Sequence, residues 1–353
     1  MSLLRALVRV GRKGLILLSP SGGTAERAVK SGIWAAATKV LTRSLYFGRL
    51  IVLAALLVPA DFGLMGIATL TLAGLDQVTK LGIDEALIQR TDKDVDRFLD
   101  TVWTAKIGRG IVLAVALFFG APVVAGFFSA PRAVDIVRVI GLLPLLEGLA
   151  NPGIVYFEKD LHFHKRLVHQ TSGALAETIA AVGIALAYQT VWALVIGAVV
   201  GEVTKLLVSY VIHHYRPSIT FDRTLAGDLF GYGKWITGLS ILVFATNSGD
   251  DAFVGWLLGT SALGLYQFAY QVSNAPATEV SKVISSVVFP AYAEVQDDTA
   301  QLREGYFKTL QLTAFLSFPI AIGIVVVTPT FVHAFLGTKW LPAVAAIQIL
   351  AIW

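Results

Sequence analysis

Three side chains near the start of the chain have the types and the spacing that binding an anion requires. Lys39, Arg43 and Tyr46 follow one another at intervals of four and three residues, so they form one stripe if this segment is an α-helix. Arginine can hold two phosphate oxygens at once, and lysine adds a point charge. The stripe therefore predicts a site for a phosphate-bearing group such as a diphosphate.

A second polar stripe lies between residues 266 and 282. Its members recur at intervals of four, three, four and four residues, so they share one helix face. They are Gln267, Gln271, Asn274, Thr278 and Lys282, with Tyr266 and Tyr270 alongside. Amide groups beside tyrosine rings suit contacts with a sugar. The alternative is ordinary hydrogen bonding between neighbouring helices.

Further charges lie in otherwise apolar segments, where a charge must face protein or water rather than lipid. Lys106 and Arg109 are close on one predicted helix and can either bind the anion or pair with an acid nearby. Three acids precede a base by three or four residues, which predicts local neutralisation. These pairs are Asp76 with Lys80, Glu202 with Lys205, and Glu279 with Lys282.

Four other acids, together with Arg49, are candidates for gating or for coupling transport to an ion. Glu147 and Glu177 have no base at helical spacing, so each is either a cross-helix partner or a proton or cation site. Asp250 and Asp251 are adjacent and point about 100° apart on a helix. At most one of these two aspartates can therefore face a cavity squarely.

The sequence carries no motif for covalent or metal chemistry. It has no cysteine, which excludes disulfides and thiolate ligands. It also has no Gly-rich phosphate loop of the Walker type, so ATP hydrolysis is not predicted to supply energy. No serine, histidine and acid can be combined by spacing into a catalytic triad. We therefore expect no catalytic residue, no metal and no cofactor.

Composition predicts an all-α, polytopic membrane protein. Hydrophobic residues make up 56% of the chain and charged residues only 15%, with a mean hydropathy of +0.71. A soluble domain of this length could not bury so much apolar surface. The formal net charge of +4 comes from bases spread over many short loops, so nucleic-acid binding is not expected.

A spanning helix needs roughly 20 mostly apolar residues, and this rule predicts about ten transmembrane helices. They are placed at 32–57, 62–83, 102–127, 134–156, 167–188, 191–213, 231–258, 262–290, 306–328 and from 341 onward. The predicted domains are a cytoplasmic amphipathic tail at 1–31, a six-helix lobe at 32–213, a cytoplasmic linker at 214–230 and a partial C-terminal lobe at 231–353.

The distribution of lysine and arginine among the loops predicts the orientation. Seventeen of these residues lie in the N-terminal tail and the even-numbered loops, whereas the odd-numbered loops hold only Arg132 and Lys339. Because basic loops stay on the cytoplasmic side, the N-terminus is predicted to be cytoplasmic. Arg43 then lies about 16 Å inside its helix, near mid-bilayer. Arg43 and Lys39 could alternatively extend to the interface or pair with acids.

Two internal sequence repeats, called echoes below, predict that the fold consists of two similar halves. Residues 48–68 resemble residues 249–269 at a constant offset of 201, and residues 122–143 resemble residues 329–350 at an offset of 207. Both copies start on the same side, so two parallel lobes are expected, the second incomplete at residue 353. The first echo aligns Arg49 with Asp250. We predict that these two residues approach each other in the inward-open state and part when the outer gate opens.

An ordered series of short segments carries a family resemblance. They are Asp61-Phe-Gly-Leu, Ala86-Leu-Ile-Gln-Arg90, Phe157-Glu-Lys-Asp-Leu-His-Phe163, Val191-Trp-Ala-Leu-Val-Ile-Gly197, Asn247-Ser-Gly-Asp-Asp251, Gly264-Leu-Tyr-Gln-Phe-Ala-Tyr270, Val288-Phe-Pro-Ala-Tyr292 and Leu336-Gly-Thr-Lys-Trp-Leu-Pro342. With these segments the chain resembles the polysaccharide-type (Wzx-like) oligosaccharide flippases of the multidrug/oligosaccharidyl-lipid/polysaccharide superfamily.

The resemblance implies a MATE-like fold of two lobes around a central cavity in the cytoplasmic membrane. It implies alternating-access movement of a polyprenyl-diphosphate-linked oligosaccharide for exopolysaccharide, capsule or O-antigen synthesis, with a glycan polymerase and export machinery as partners. One alternative is a multidrug or cation antiporter of the same superfamily, which would need acids as the dominant cavity charge. Another is a membrane-embedded glycan polymerase or ligase, which would need a large extracytoplasmic loop.

Overall fold

The computed structural model of the chain describes residues 24–79, 95–159, 162–220, 223–295 and 298–352. Every regular element in these ranges is helical, which confirms the predicted all-α class. The amphipathic tail predicted at 1–31 lies mostly outside the described residues, and so do Lys80 and the segment that follows it.

The first part of the chain forms eight helices in the described ranges, with one 3₁₀ turn among them. They are α1 (Thr24–Leu56), α2 (Pro59–Thr79), α3 (Val95–Phe127), α4 (Ala133–Ile140), α5 (Leu143–Leu149), the 3₁₀ turn Pro152–Val155, α6 (Tyr156–Lys159), α7 (Phe163–Tyr188) and α8 (Trp192–Ile212). The second part contributes α9 (Arg223–Glu294), α10 (Thr299–Phe331), a π turn (Val332–Leu336), a 3₁₀ turn (Thr338–Trp340) and α11 (Ala343–Ile352).

α9 is a hairpin of two helical arms rather than one rod. Its backbone is non-helical at Gly259, where φ is 81° and ψ is −178°, a region that essentially only glycine occupies. Asp250 accepts a hydrogen bond from the hydroxyl of Tyr266, although 16 residues of straight helix would separate them by about 24 Å. The two arms therefore run antiparallel on either side of Gly259, as the separate predictions at 231–258 and 262–290 require.

The predicted single helix at 134–156 is wrong, because this segment is divided into α4, α5, the 3₁₀ turn and α6. Pro144 and Pro152 each stand at the start of a new element. Proline has no amide hydrogen to continue the preceding helix and fits best in a first turn. Asn151 then starts the 3₁₀ turn, accepting a hydrogen bond from the amide of Gly153 at 2.9 Å.

Within the described ranges, six helical segments are long and apolar enough to cross a membrane. They are Pro59–Thr79, Leu99–Phe127, Phe163–Tyr188, Trp192–Ile212, Gly238–Asn274 and Thr299–Leu336. The chain is therefore a multi-pass membrane protein, while the total of ten spans stays a prediction. α1 is long enough but carries Lys39, Arg43 and Arg49 among its apolar residues, which lowers its hydropathy.

α2 and the second arm of α9 cross at a point where neither helix has a side chain. A Cβ atom on Gly63 would lie 1.8 Å from the carbonyl oxygen of Thr260, and one on Gly264 would lie 1.9 Å from that of Pro59. The contact is reciprocal, since both pairs of equivalent positions are related by the offset of 201. Glycine at both positions lets the two backbones touch, and it joins the first part of the chain to the second.

Candidate functional site

A cavity of about 270 Å³ lies between α1, α2, α7, α8 and the second arm of α9. We call it the central cavity. Its apolar wall includes Leu53, Phe62 and Met65. Its polar lining residues are Tyr46, Arg49, Thr69, Glu177, Gln267 and Gln271. Five of these six were predicted as site residues. Tyr46 and Arg49 lie on α1, and the crossing of α2 with the second arm of α9 brings the other helices beside them.

Tyr46 connects the two sides of the central cavity. Its hydroxyl donates a hydrogen bond to the side-chain oxygen of Gln271 on α9. The guanidinium carbons of Arg43 and Arg49 lie 5.4 Å and 5.7 Å from the centre of its ring, within the range of a cation–π interaction. The ring thus lies near two positive charges, and the predicted stripe on α1 continues to Arg49.

Arg49 forms an ion pair with Glu177 on α7, and the two side chains are only 14% and 28% exposed. Glu177 is therefore a cross-helix partner, one of the two roles that the sequence left open. The predicted approach of Arg49 to Asp250 is not made in this conformation, because Asp250 is bonded to Tyr266 instead. That pairing stays a prediction for another state of the protein.

Lys39 and Arg43 lie on α1 toward its N-terminus from Tyr46, and both are exposed. Arg43 also lies over the ring of Phe47, 5.0 Å from its centre. Aromatic support orients the guanidinium while its N–H groups can still bind an anion at the ring edge. The two cations extend the polar surface of α1 beyond the cavity wall, as a stripe at helical spacing should.

Arg109 is bound within the protein, as the pairing alternative predicted. It forms an ion pair with Asp76 on α2, and it also donates to the hydroxyl of Thr79 at 3.1 Å and to the carbonyl of Asp76 at 3.2 Å. Three acceptors on one helix end use most of the guanidinium. Arg109 thus joins α3 to α2, and the partner of Asp76 is a base on another helix.

A second cavity, of about 700 Å³, lies within the first part of the chain between α1, α3, α7 and α8. Lys106 and Glu147, both predicted as site residues, line it. Its walls also contain the predicted pair of Glu202 and Lys205, whose side chains meet at 2.8 Å. Glu177 lines both cavities, whereas its partner Arg49 lines the central cavity.

The polar stripe on the second arm of α9 is divided between two surroundings. Gln267 and Gln271 line the central cavity, whereas Tyr266 bonds to Asp250 and its ring lies 6.5 Å from that of Tyr270. The carboxylate of Asp251 lies next to Gln267. Asn274 is half-buried, and the side chains of Thr278 and Lys282 lie outside the described residues. Two amides of the stripe are therefore placed to touch a cavity ligand.

Sequence reasoning missed Thr69 and the role of Gly66 beside it. A Cβ on Gly66 would lie 2.1 Å from the side-chain oxygen of Gln267, so glycine makes room for the amide to reach the cavity. The signal was present, because Gly66 and Gln267 are equivalent positions of the 201-residue echo. Among the described residues, no group of three or more histidine, aspartate or glutamate side chains is close enough to hold a metal ion.

The sequence of the chain matches a known family over most of its length. Residues 52–345 match the family described as polysaccharide biosynthesis protein. The lipopolysaccharide biosynthesis protein WzxC of Escherichia coli is 27% identical over 93% of this chain and 67% of its own length. The teichuronic acid biosynthesis protein TuaB of Bacillus subtilis is 29% identical over 78% of this chain and 57% of its own length.

A third relative is the succinoglycan biosynthesis transport protein ExoT of Rhizobium meliloti, 24% identical over 90% of this chain and 64% of its own length. The chain thus spans between 57% and 67% of these three relatives.

Two solved structures share the fold. An inward-facing multidrug resistance MATE family transporter superposes with a TM-score of 0.63 at 17% identity, over 88% of this chain and 77% of its own. The lipid II flippase MurJ in an inward closed conformation gives 0.65 at 13% identity, over 92% and 71%. At these identities the likeness concerns the fold alone, and the fold is MATE-like.

Proposed function

The chain belongs to the polysaccharide biosynthesis protein family, and we propose that it translocates a polyprenyl-diphosphate-linked oligosaccharide across the cytoplasmic membrane. The observation that carries the proposal is the surface of α1, where Lys39, Arg43, Tyr46 and Arg49 lead into a cavity lined by the amides of Gln267 and Gln271. Cations that can bind phosphate, next to amides that can hydrogen-bond sugar hydroxyls, match a substrate that joins a diphosphate to a glycan.

The names of the relatives support the same substrate class. One relative is named a succinoglycan biosynthesis transport protein, two others are named for the biosynthesis of lipopolysaccharide and teichuronic acid, and one protein of the same fold is named a lipid II flippase. Movement of a lipid-linked glycan is the activity that agrees with these names and with a multi-pass fold. Such movement breaks no covalent bond, so the proposed protein is a transporter rather than an enzyme.

The proposed mechanism is alternating access between two parallel lobes, 32–213 and 231–353, with the N-terminus in the cytoplasm. Three contacts would have to break as the lobes rock: the hydrogen bond of Tyr46 to Gln271, the crossing at Gly63 and Gly264, and the packing of Trp340 against α1. In this mechanism Lys39 and Arg43 bind the diphosphate, and Thr69, Gln267 and Gln271 bind sugar hydroxyls. A glycan polymerase and export machinery would receive the product.

The charges along α1 support an anionic substrate rather than the cation of an antiporter. Two of the acids that line the cavities, Glu177 and Glu202, are paired with Arg49 and Lys205. The exposed charges on α1 beside the central cavity are positive. An anionic lipid is therefore the better match to this surface than a cationic drug.

The proposal is tested by reconstituting this chain in liposomes that contain a fluorescent polyprenyl-diphosphate oligosaccharide. Translocation is read as the fraction of label that a membrane-impermeant quencher can reach over time, compared with protein-free liposomes. We expect protein-dependent exposure of the lipid-linked sugar and no protein-dependent uptake of a cationic dye. Dye uptake without movement of the glycolipid would select the antiporter and reject the flippase.

A further inference from the structure

We propose that Lys339 and Trp340 form a releasable clasp, which closes one end of the central cavity by donating hydrogen bonds to the end of α1. The Nζ of Lys339 lies 2.7 Å from the carbonyl oxygen of Ala55, and the indole nitrogen of Trp340 lies 2.7 Å from that of Ala54. The clasp joins the second part of the chain to the first. Its role as a gate rests on the alternating-access mechanism proposed above.

The two carbonyl groups are able to accept these bonds because the residues after α1 do not provide the backbone amide hydrogens that would bind them in a continuing helix. In a continuing helix the carbonyl of Ala55 would accept from residue 59, but that residue is proline and has no amide hydrogen. The carbonyl of Ala54 would accept from Val58, whose amide lies instead against the carboxylate of Asp61. The end of α1 is thus left with two acceptors that need donors from elsewhere.

Trp340 fills the end of the cavity as well as donating. Its side chain is fully buried, and its ring centre lies 5.2 Å from that of Phe62 and 4.5 Å from that of Phe268. Phe62 also lines the central cavity. The indole therefore lies directly behind the cavity wall, in contact with α2 and with the second arm of α9, where it blocks passage between the two.

Charge near the clasp is concentrated on Asp61, which is almost fully buried. Arg132 lies 3.8 Å from its carboxylate, and the charge of Asp61 also acts on Lys339, opposing the lowering of the Lys339 pKa by burial. Arg132 and Lys339 are equivalent positions of the 207-residue echo. One carboxylate in the first part of the chain thus attracts a base from each part at the same end of the molecule.

The form of the clasp permits it to open. Its acceptors are helix-end carbonyls, which water can satisfy once the two parts separate, so opening leaves neither carbonyl without a partner. A bond within a helix or a buried ion pair would not be released at so small a cost. Removing either donor should therefore change the equilibrium constant between the closed and the open clasp by about five-fold.

The absence of cysteine from the sequence makes the clasp directly testable. Thr69→Cys places one thiol in the central cavity, and its rate of reaction with a membrane-impermeant maleimide applied at the clasped end reports opening. We expect Lys339→Met and Trp340→Phe each to raise that rate about five-fold, and the double variant to raise it further. Lys308→Met and Trp192→Phe, changes of the same kind at exposed positions, should leave it unchanged.

A second reporter keeps the test independent of folding and of the proposed function. Ala187→Cys is exposed at the end of α7 nearest the clasp, so it should react at the same rate in every folded variant and identify the side that the clasp faces. Unchanged labelling of Thr69→Cys in both clasp variants, with normal labelling of Ala187→Cys, overturns the clasp. Faster labelling, when the chain without any substitution moves no glycolipid in the liposome assay, supports the clasp and rejects the flippase instead.

Discussion

At the scale of single residues, the contacts of Arg49 show how the site is held. Arg49 forms an ion pair with Glu177, lies over the ring of Tyr46 and lines the central cavity. A partly buried charge that loses its partner is costly, because the remaining charge has little water around it. The stability of this region should therefore depend on the pair rather than on either residue alone.

A double-mutant cycle on Arg49→Met and Glu177→Gln measures this dependence. We expect each single change to lower the melting temperature in detergent and the double change to cost less than their sum, with a coupling of about 0.5–3 kcal/mol. The same cycle on the exposed pair Lys308 and Glu304 is the control, where a smaller coupling is expected because water screens both charges. Equal coupling in both pairs would show that burial adds nothing to the Arg49 pair.

A cycle on transport tests the predicted approach of Arg49 to Asp250. If the two residues meet in one state of the transport cycle, neutralising both should recover part of the activity that either single change removes. The measurement is initial translocation rate in proteoliposomes. A double variant as impaired as the two single variants combined would reject the pairing and leave Asp250 with its hydrogen bond from Tyr266.

Residue types and spacing predicted which of the candidate side chains lie together, while their role as a binding site stays a prediction. Tyr46, Gln267 and Gln271 were chosen from helical periodicity, and they line one cavity, because residues at intervals of three and four must share a face. The partners of Arg109 and Glu177 could not be predicted in the same way. Each partner lies on another helix, and the spacing of residues along one helix does not indicate which helix packs against it.

At the scale of elements, α2 and α9 cross at Gly63 and Gly264, which are equivalent positions of the 201-residue echo. Gly63→Ala or Gly264→Ala would put a methyl group against a backbone carbonyl at under 2 Å, so the helices must move apart. We expect a loss of about 1–3 kcal/mol of stability, measured by thermal unfolding in detergent, and faster labelling of Thr69→Cys.

The same repeat supplies the control for this prediction. Gly48 and Gly249 are also equivalent positions, and a Cβ on either would meet nothing within 4 Å. Gly48→Ala and Gly249→Ala should be neutral or slightly stabilising, because alanine favours a helix over glycine. A loss at these positions equal to that at Gly63 would attribute the effect to helix propensity and not to the crossing.

Helix prediction from composition succeeded where a span is uninterrupted and failed where proline divides it. α7 and α8 lie within a few residues of their predicted bounds. The segment 134–156 was predicted as one span because its hydropathy is continuous, yet Pro144 and Pro152 start new elements there. Average hydropathy records apolar surface but not the missing amide hydrogens that end a helix.

At the scale of the whole molecule, two parts of the chain meet around one polar cavity. The parts are joined by the reciprocal glycine contact, by Tyr46 and Gln271, and by the donors at Lys339 and Trp340. All three connections lie between α1 or α2 and the second part of the chain. A movement that separates the parts would open the cavity at the end where Trp340 is buried.

The most direct test of the account is the translocation rate of a labelled polyprenyl-diphosphate oligosaccharide in proteoliposomes containing Arg43→Ala. The account predicts that this variant inserts and folds normally but loses nearly all translocation, because the proposed mechanism assigns diphosphate binding to Arg43. Arg138→Ala, which removes a base paired with Asp135 on α4, should transport like the unchanged chain. Full translocation by Arg43→Ala would contradict the role of the α1 cations in substrate binding.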